Sequence, residues 1–101
     1  MSEAAPVPRG VLHRWGDVLG LAPTTPRLSL GEGDTPLVES TYLAGLCGLD
    51  ELWFKLESCN PTGSFKDRGM VVAVARALEA GAKAVMCAST GNTSASAAAY
   101  A

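Results

Sequence analysis

The segment NPTGSFKDRGM, residues 60–70, most constrains how this chain folds, because it joins loop-forming residues to the start of a long apolar stretch. Asn, Pro, Thr and Gly precede Ser64, a residue type that caps helices, and MVVAVARALEAGAK follows. We therefore predict a helix from about Ser64 to Ala80, ended by Gly81. Lys66 then lies in the first turn, where the helix dipole disfavours an ammonium group.

The order strand, loop, helix occurs twice. ELWFKLE alternates and contains aromatic residues, which predicts a strand over about Leu52 to Glu57. The apolar run AVMCAS, residues 84–89, is typical of a buried parallel strand. TGNTSASAAAYA then begins a second helix, with Thr90 or Asn92 as its cap. Short links between these elements predict an α/β layer architecture with a parallel sheet.

The N-terminal half gives weaker signals. Residues 1 to about 10 indicate a flexible lead-in, residues 11–20 a short helix or turn, and TYLAGLCGLD, residues 41–50, a helix followed by a turn. LSLGEGDTPLVES predicts a turn flanked by short extended pieces. We divide the chain into an N-terminal extension, residues 1–23, and the N-terminal part of a larger domain, residues 24–101. We expect the chain to end inside this domain, because its last helix lacks a stop signal.

Composition disfavours several classes of partner. The 101 residues carry a net charge of -2 with eight scattered Lys and Arg, which disfavours nucleic acid binding. No apolar run approaches the roughly 20 residues that cross a bilayer. The N-terminus lacks the pattern of a signal peptide, so we expect a cytoplasmic protein without a membrane contact. Three cysteines without a CxxC pair, and a single histidine, predict neither a disulfide framework nor a metal site.

The two loops that open the helices carry the residues suited to chemistry. In a parallel sheet both loops leave at the edge formed by the carboxyl ends of the strands, where ligands bind. A lysine at a helix N-terminus is helped to act as a neutral amine toward an aldehyde. The free amides of STGNTS suit a carboxylate or a phosphate.

Each of these signals is weak when taken singly. A lysine at a helix start is more often solvated than catalytic, and Ser64 with Asp67 three residues on reads equally well as a capping box. The small residues of STGNTSAS serve tight helix packing equally well. Neither GxxxxGK[ST] nor GxGxxG after a strand occurs in the chain.

In combination, the motifs resemble those of a known enzyme family. NPTGSFKDRG resembles the lysine motif of the fold type II pyridoxal phosphate enzymes, the group related to the tryptophan synthase β subunit. STGNTSAS is similar to the asparagine loop of that group, and LGEGDTPLV to its GEGxTPL stretch. The resemblance runs from about residue 24 to the chain end. Relatives such as threonine dehydratase and cysteine synthase usually carry His or Gln where Thr93 stands. The sequence therefore looks most like the branch that converts O-phospho-L-homoserine and water into L-threonine and phosphate.

The resemblance implies a role for each matching residue. Lys66 would form the Schiff base with pyridoxal 5'-phosphate and then act as general base and acid on the substrate carbons. Asn92 would hydrogen-bond the phenolic oxygen of the cofactor. The residues expected to hold the substrate carboxylate are Ser89, Thr90, Gly91 and Thr93. In the family, the loop for the cofactor phosphate and the partner of the pyridine nitrogen lie further along the chain.

The complete protein would therefore be a phosphate-eliminating lyase acting on a small molecule, whereas we expect the 101 residues alone to be inactive. Two alternatives stay open. One is another fold type II enzyme, such as threonine or serine dehydratase. The other is a non-catalytic truncated remnant that acts only in association with another chain. Whether the complete protein forms a homo-oligomer is also open.

Overall fold

The computed structural model describes residues 9–101, and within them the chain forms short strands and helices joined by turns. In chain order these are α1 (Val11–Trp15), β1 (Leu37–Glu39), α2 (Thr41–Cys47), β2 (Trp53–Lys55), a 3-10 turn (Glu57–Cys59), α3 (Lys66–Glu79) and α4 (Asn92–Tyr100). Residues 11–20, for which the sequence predicts a short helix or a turn, form α1 followed by turns, and the helix predicted within residues 41–50 is confirmed as α2. Most of the predicted lead-in lies outside the described residues.

The two strands pair antiparallel, with Val38 opposite Phe54. β2 confirms the strand predicted between Leu52 and Glu57, although it is shorter. Residues 84–89 form no strand in the described part of the chain, so their predicted parallel pairing is not confirmed. A strand requires a neighbour that accepts and donates its backbone hydrogen bonds. Residues 84–88 are exposed instead, and open cavities lie between this stretch and helices α3 and α4.

Helix α3 begins two residues later than predicted. Phe65 occupies the N-cap position, and its side chain has no group that accepts a hydrogen bond. The buried Ser64 partly replaces the missing cap, because its hydroxyl accepts a hydrogen bond from the Lys66 N–H at 3.3 Å. Lys66 is therefore the first residue of α3, and the prediction that it lies in the first turn is confirmed.

The end of α3 is confirmed at the predicted glycine. Gly81 adopts a φ of +85°, which a side chain would make costly. Its N–H donates to the Leu78 carbonyl at 2.9 Å, and the Ala82 N–H donates to the Ala77 carbonyl at 2.9 Å. These two bonds define the Schellman motif, which satisfies carbonyls that a helix end otherwise leaves free.

The apolar core lies where α1 and α4 pack on α3. Val71, Val74 and Ala75 are spaced so that they share one face of α3. They pack with residues of the other two helices, namely Val11, Leu12 and Tyr100. This core holds the middle of α3 against α1 and α4. No helix among residues 9–101 is long and apolar enough to cross a membrane.

Candidate functional site

Lys66 presents its amine on an open surface at the start of α3. The residue is exposed, and Nζ lies 5.0 Å from the centroid of the Phe65 ring, within cation–π range. No hydrogen bond or ion pair joins this amine to another residue in the described range. An amine that attacks an aldehyde must be accessible and free of competing partners, so the position suits the predicted attachment of the cofactor.

Asp67, the next residue, is fully buried. Its carboxylate accepts hydrogen bonds from the Thr62 N–H at 2.8 Å, the Thr62 hydroxyl at 2.5 Å and the Ser96 hydroxyl at 2.6 Å. Burial raises the pKa of Asp67, but the hydrogen bonds from Ser96 and Thr62 outweigh it, so the pKa lies below its ordinary value. The capping box read between Ser64 and Asp67 is wrong, because the carboxylate reaches back to Thr62 instead.

The bond between Ser96 and Asp67 joins the first turn of α3 to α4. Asp67 is the second residue of α3, and the fully buried Ser96 lies one turn after Asn92 on α4. The two helix starts predicted to share one edge of a sheet are therefore brought together. A direct polar contact does this in the described residues, without parallel strands.

The asparagine loop enters α4 without a side-chain cap. Gly91 occupies the N-cap position with a φ of −129°, so the prediction of Thr90 or Asn92 as the cap is wrong. Ser89 orders the turn instead, since its hydroxyl accepts from the Gly91 N–H at 3.2 Å and its carbonyl accepts from the Ser94 hydroxyl. An uncapped helix start leaves its first N–H groups open to an anion, as the sequence suggests for the substrate carboxylate.

The predicted site residues differ in exposure. Lys66 and Asn92 are exposed and each begins a helix, but no hydrogen bond joins them within residues 9–101. In the loop before α4, the half-buried residues are Ser89 and Thr93, and the exposed ones are Thr90 and Gly91. The structure thus brings the two helix starts together and leaves the two principal side chains separately accessible.

A second polar cluster, which the sequence analysis missed, joins the GEGDTPL stretch to the lysine motif. Arg68 donates from Nε to Glu57 Oε1 at 2.6 Å and from Nη2 to Glu57 Oε2 at 2.9 Å. It also donates to the Gly33 carbonyl at 3.3 Å and the Thr35 hydroxyl at 3.4 Å. Asn60 accepts from the Gly33 N–H at 2.9 Å and donates to Glu57 Oε1 at 3.1 Å. The one sequence signal for this cluster was the pair of opposite charges, Glu57 and Arg68, on either side of the loop before α3.

The electrostatics of this cluster keep both of its charged groups ionised. The Arg68 hydrogen bonds lower the pKa of Glu57 to about 2 against the raising effect of burial, with further help from Asn60 and Thr35. In return, the hydrogen bonds to Glu57 raise the pKa of Arg68. The pair is bidentate, the geometry in which arginine and carboxylate interact most strongly.

An apolar cavity of about 210 Å³ lies beside the candidate residues, between α3, α4 and residues 85–87. Its lining residues are Met70, Ala73, Val74, Val85, Met86, Cys87 and Ala97. Neither Lys66 nor Asn92 lines it. Both residues are instead exposed at the starts of their helices, outside this cavity.

Comparison with known proteins identifies the family. Residues 28–101 match the family described as pyridoxal-phosphate dependent enzyme. The chain belongs to this family, whose members depend on pyridoxal phosphate and whose fold is of the α/β class.

Several curated relatives are threonine synthases. The chain is 53% identical over 92 residues to that of Halalkalibacterium halodurans, covering 91% of this chain and 26% of the relative. It is 52% identical over 94 residues to that of Synechocystis sp., covering 92% and 25%. The threonine synthase of Methanocaldococcus jannaschii is 60% identical over 73 residues, covering 72% and 18%. The chain spans about a quarter or less of the length of these relatives.

The residues present fit pyridoxal phosphate. Lys66 offers the primary amine that an aldehyde requires, and Asn92, an exposed residue, supplies an amide at the start of the adjoining helix. Glu57 is paired with Arg68, and no carboxylate pairs with the Lys66 amine within residues 9–101.

Proposed function

We propose that the complete protein carrying this chain is a threonine synthase, which converts O-phospho-L-homoserine and water into L-threonine and phosphate. One observation carries the proposal: the lysine motif and the asparagine loop begin two helices joined by Asp67 and Ser96. The chain that contains these motifs is 53% identical to a bacterial threonine synthase and 60% identical to an archaeal one over the matched residues.

Lys66 holds the cofactor by a covalent bond from its amine and moves protons at the substrate carbons as general base and acid. The accessible amine at the start of α3 supports this role. Pyridoxal phosphate, when bound, supplies the electron sink that allows protons to leave the α and β carbons and phosphate to leave the γ carbon. The Asn92 amide donates a hydrogen bond to the phenolic oxygen and so orients the ring.

The loop before α4 holds the substrate carboxylate. The absence of a side-chain cap at Gly91 supports this proposal, because the first N–H groups of α4 then have no side-chain acceptor in the described chain. Four residues take part through hydroxyl and backbone N–H groups: Ser89, Thr90, Gly91 and Thr93. Their position in one turn supplies several donors within a short span of chain.

The finer architecture belongs to the same proposal. Residues 24–101 form the N-terminal part of the catalytic domain, and residues 1–23 extend it. In the complete protein the domain has the fold type II arrangement with a parallel sheet, and the enzyme works in the cytoplasm on a small-molecule substrate. The relatives are about four times as long as the matched segment, which leaves ample chain for the remaining strands.

Borohydride reduction of the complete protein with pyridoxal phosphate, followed by peptide mass spectrometry, tests the attachment residue. We expect the label on Lys66 and its loss, together with loss of threonine formation, in Lys66→Ala. Lys83→Ala is the matched control, since Lys83 is an exposed lysine after α3. This variant should keep both the label on Lys66 and the formation of threonine. A label on another lysine, or threonine formation by Lys66→Ala, would contradict the proposal.

The substrate distinguishes the alternatives. O-Phosphohomoserine should yield equal amounts of threonine and phosphate. A keto acid formed from threonine or serine, with no turnover of O-phosphohomoserine, would identify a dehydratase instead. Absence of both a lysine label and turnover would identify a non-catalytic remnant.

A further inference from the structure

The proposed function gives no role to Asp67, although it is a fully buried carboxylate beside Lys66. We propose that Asp67 is a positioning residue for Lys66: its carboxylate, bound by Thr62 and Ser96, fixes the first turn of α3 against α4. It thereby sets where the Lys66 amine stands relative to the asparagine loop. The inference rests on the proposed role of Lys66 as the attachment residue.

Helix geometry separates the two neighbouring side chains. Successive residues of an α-helix point about 100° apart around its axis. Asp67 is fully buried whereas Lys66 is exposed. Asp67 therefore acts on Lys66 through the shared backbone of the first turn, not through contact with substrate or cofactor.

Three segments of the chain meet on the Asp67 carboxylate. Thr62 donates its N–H and hydroxyl from the loop before α3, and Ser96 donates its hydroxyl from α4. A buried carboxylate without enough donors is costly, so the loop, the first turn of α3 and α4 are held in the one arrangement that supplies all three bonds.

The apolar core does not duplicate this function. On α3 its buried residues begin at Val71, more than one turn after Lys66, and continue to Val74 and Ala75. They fix the middle of α3 against α1 and α4. The orientation of the first turn depends on the polar contact, because Asp67 is the buried side chain nearest to Lys66 on this helix.

Four variants of the complete protein separate positioning from general stability. Asp67→Ala removes all three bonds, and Ser96→Ala removes only the bond to α4. Asp67→Asn keeps the geometry of all three bonds. The asparagine oxygen can accept from the Thr62 N–H, and the asparagine NH2 group can donate to the hydroxyls of Thr62 and Ser96, because a hydroxyl accepts hydrogen bonds as well as donating them. Val74→Ala is the control, since it weakens the packing of α3 without touching the Asp67 bonds.

The first measurement is the rate at which cofactor-free protein takes up pyridoxal phosphate on Lys66, followed by absorbance and confirmed by borohydride labelling. We expect a fall of about 100-fold for Asp67→Ala and about tenfold for Ser96→Ala, as a displaced reacting group would give. Asp67→Asn should stay within about threefold of wild type, and Val74→Ala should take up cofactor at the wild-type rate.

The second measurement needs no cofactor. Hydrogen exchange at the Thr62 amide should accelerate in Asp67→Ala and stay slow in Val74→Ala, because this N–H donates to Asp67. Reductive methylation of the Lys66 amine should also change in rate in Asp67→Ala and Ser96→Ala. Both readouts report the local arrangement independently of turnover.

The outcomes are distinguishable. If the wild-type label falls on another lysine, the proposed function fails and this inference fails with it. If Lys66 is labelled but Ser96→Ala and Asp67→Ala take up cofactor at the wild-type rate, only the inference is refuted. Equal slowing by Val74→Ala at an equal loss of Tm would also refute it. Should Asp67→Ala not fold, Ser96→Ala alone decides.

Discussion

Replacing Glu57 by glutamine tests the ion pair that holds the loop before Lys66. Arg68 binds both carboxylate oxygens, and the pKa of Glu57 falls from 4.5 to about 2. A depression of that size corresponds by linkage to about 3 kcal/mol of stability. The side chains of Glu57 and Arg68 are 33% and 32% exposed, so solvent screening reduces this figure. We expect Glu57→Gln to lower the free energy of unfolding by about 1–2 kcal/mol at pH 7.

The pH dependence follows from the direction of the pKa shift. The folded pKa of Glu57 lies below its unfolded value, so the stabilisation is fully present above about pH 5. It is lost as the pH falls toward the folded pKa of about 2. Glutamine does not titrate, so the difference in unfolding free energy between wild type and Glu57→Gln should shrink across that window.

Urea unfolding of the complete protein at several pH values measures this difference. Glu51→Gln is the matched control, because Glu51 is exposed and makes no hydrogen bond or ion pair within the described chain. A double-mutant cycle with Arg68→Met should give a coupling of about 1–2 kcal/mol, well above the roughly 0.3–0.5 kcal/mol expected for independent sites. The reasoning is refuted if Glu57→Gln costs no more than Glu51→Gln, or if its cost does not change with pH.

Further variants test the remaining turns and contacts, each by its urea midpoint. Asn60→Ala should lower the free energy of unfolding by about 1–3 kcal/mol, because Asn60 is 5% exposed and its loss leaves the Gly33 N–H without its acceptor and removes one of the donors to Glu57 Oε1. Gly81→Ala should lower the free energy of unfolding by about 1 kcal/mol through the positive φ alone, because no atom lies within 4 Å of the added Cβ. Gly81→Asn should lower it by less, because asparagine adopts the left-handed conformation more readily than alanine. Gly33→Ala should cost more than Gly81→Ala, because its Cβ would also lie 3.2 Å from Arg68 Nη1. Equal costs at the two glycines would contradict this reading.

The elements that the sequence predicted well are those decided by neighbouring residues. Gly81 ends α3 because its positive φ and two backbone bonds depend on the adjacent residues alone. β2 lies within the alternating segment 52–57, and α2 within the helical spacing of 41–50. Local chemistry decides such features, so they can be predicted without knowledge of the rest of the fold.

Helix starts were harder to predict because several polar residues compete for the cap. Ser64 bonds the Lys66 N–H from outside the N-cap position, which Phe65 occupies. At α4, Gly91 takes the N-cap position and no side chain caps the helix. The sequence did not indicate that α4 would lack a side-chain cap. This lack of a cap leaves the first N–H groups of α4 open for the proposed substrate carboxylate.

Contacts between distant segments could not be predicted from spacing. Ser96 and Asp67 are 29 residues apart, and no local rule selects this serine over the others in the loop. Likewise, an apolar run such as 84–89 suits a strand only if a partner strand is present, and residues 9–101 do not provide one. The roles of Lys66 and Asn92 rested on family resemblance and stay predictions.

The three consecutive residues at the start of α3 explain how the sequence motifs meet. Because they point about 100° apart, Lys66, Asp67 and Arg68 reach three different surroundings. Arg68 binds the Gly33 carbonyl and so holds the GEGDTPL stretch, while Asp67 binds Ser96 and holds the helix that follows the asparagine loop. Both charged neighbours of the lysine are thus committed to other partners, and the lysine itself is left exposed and unpaired in the described chain. One helical turn therefore assembles the three motifs and frees the amine that the proposed reaction requires.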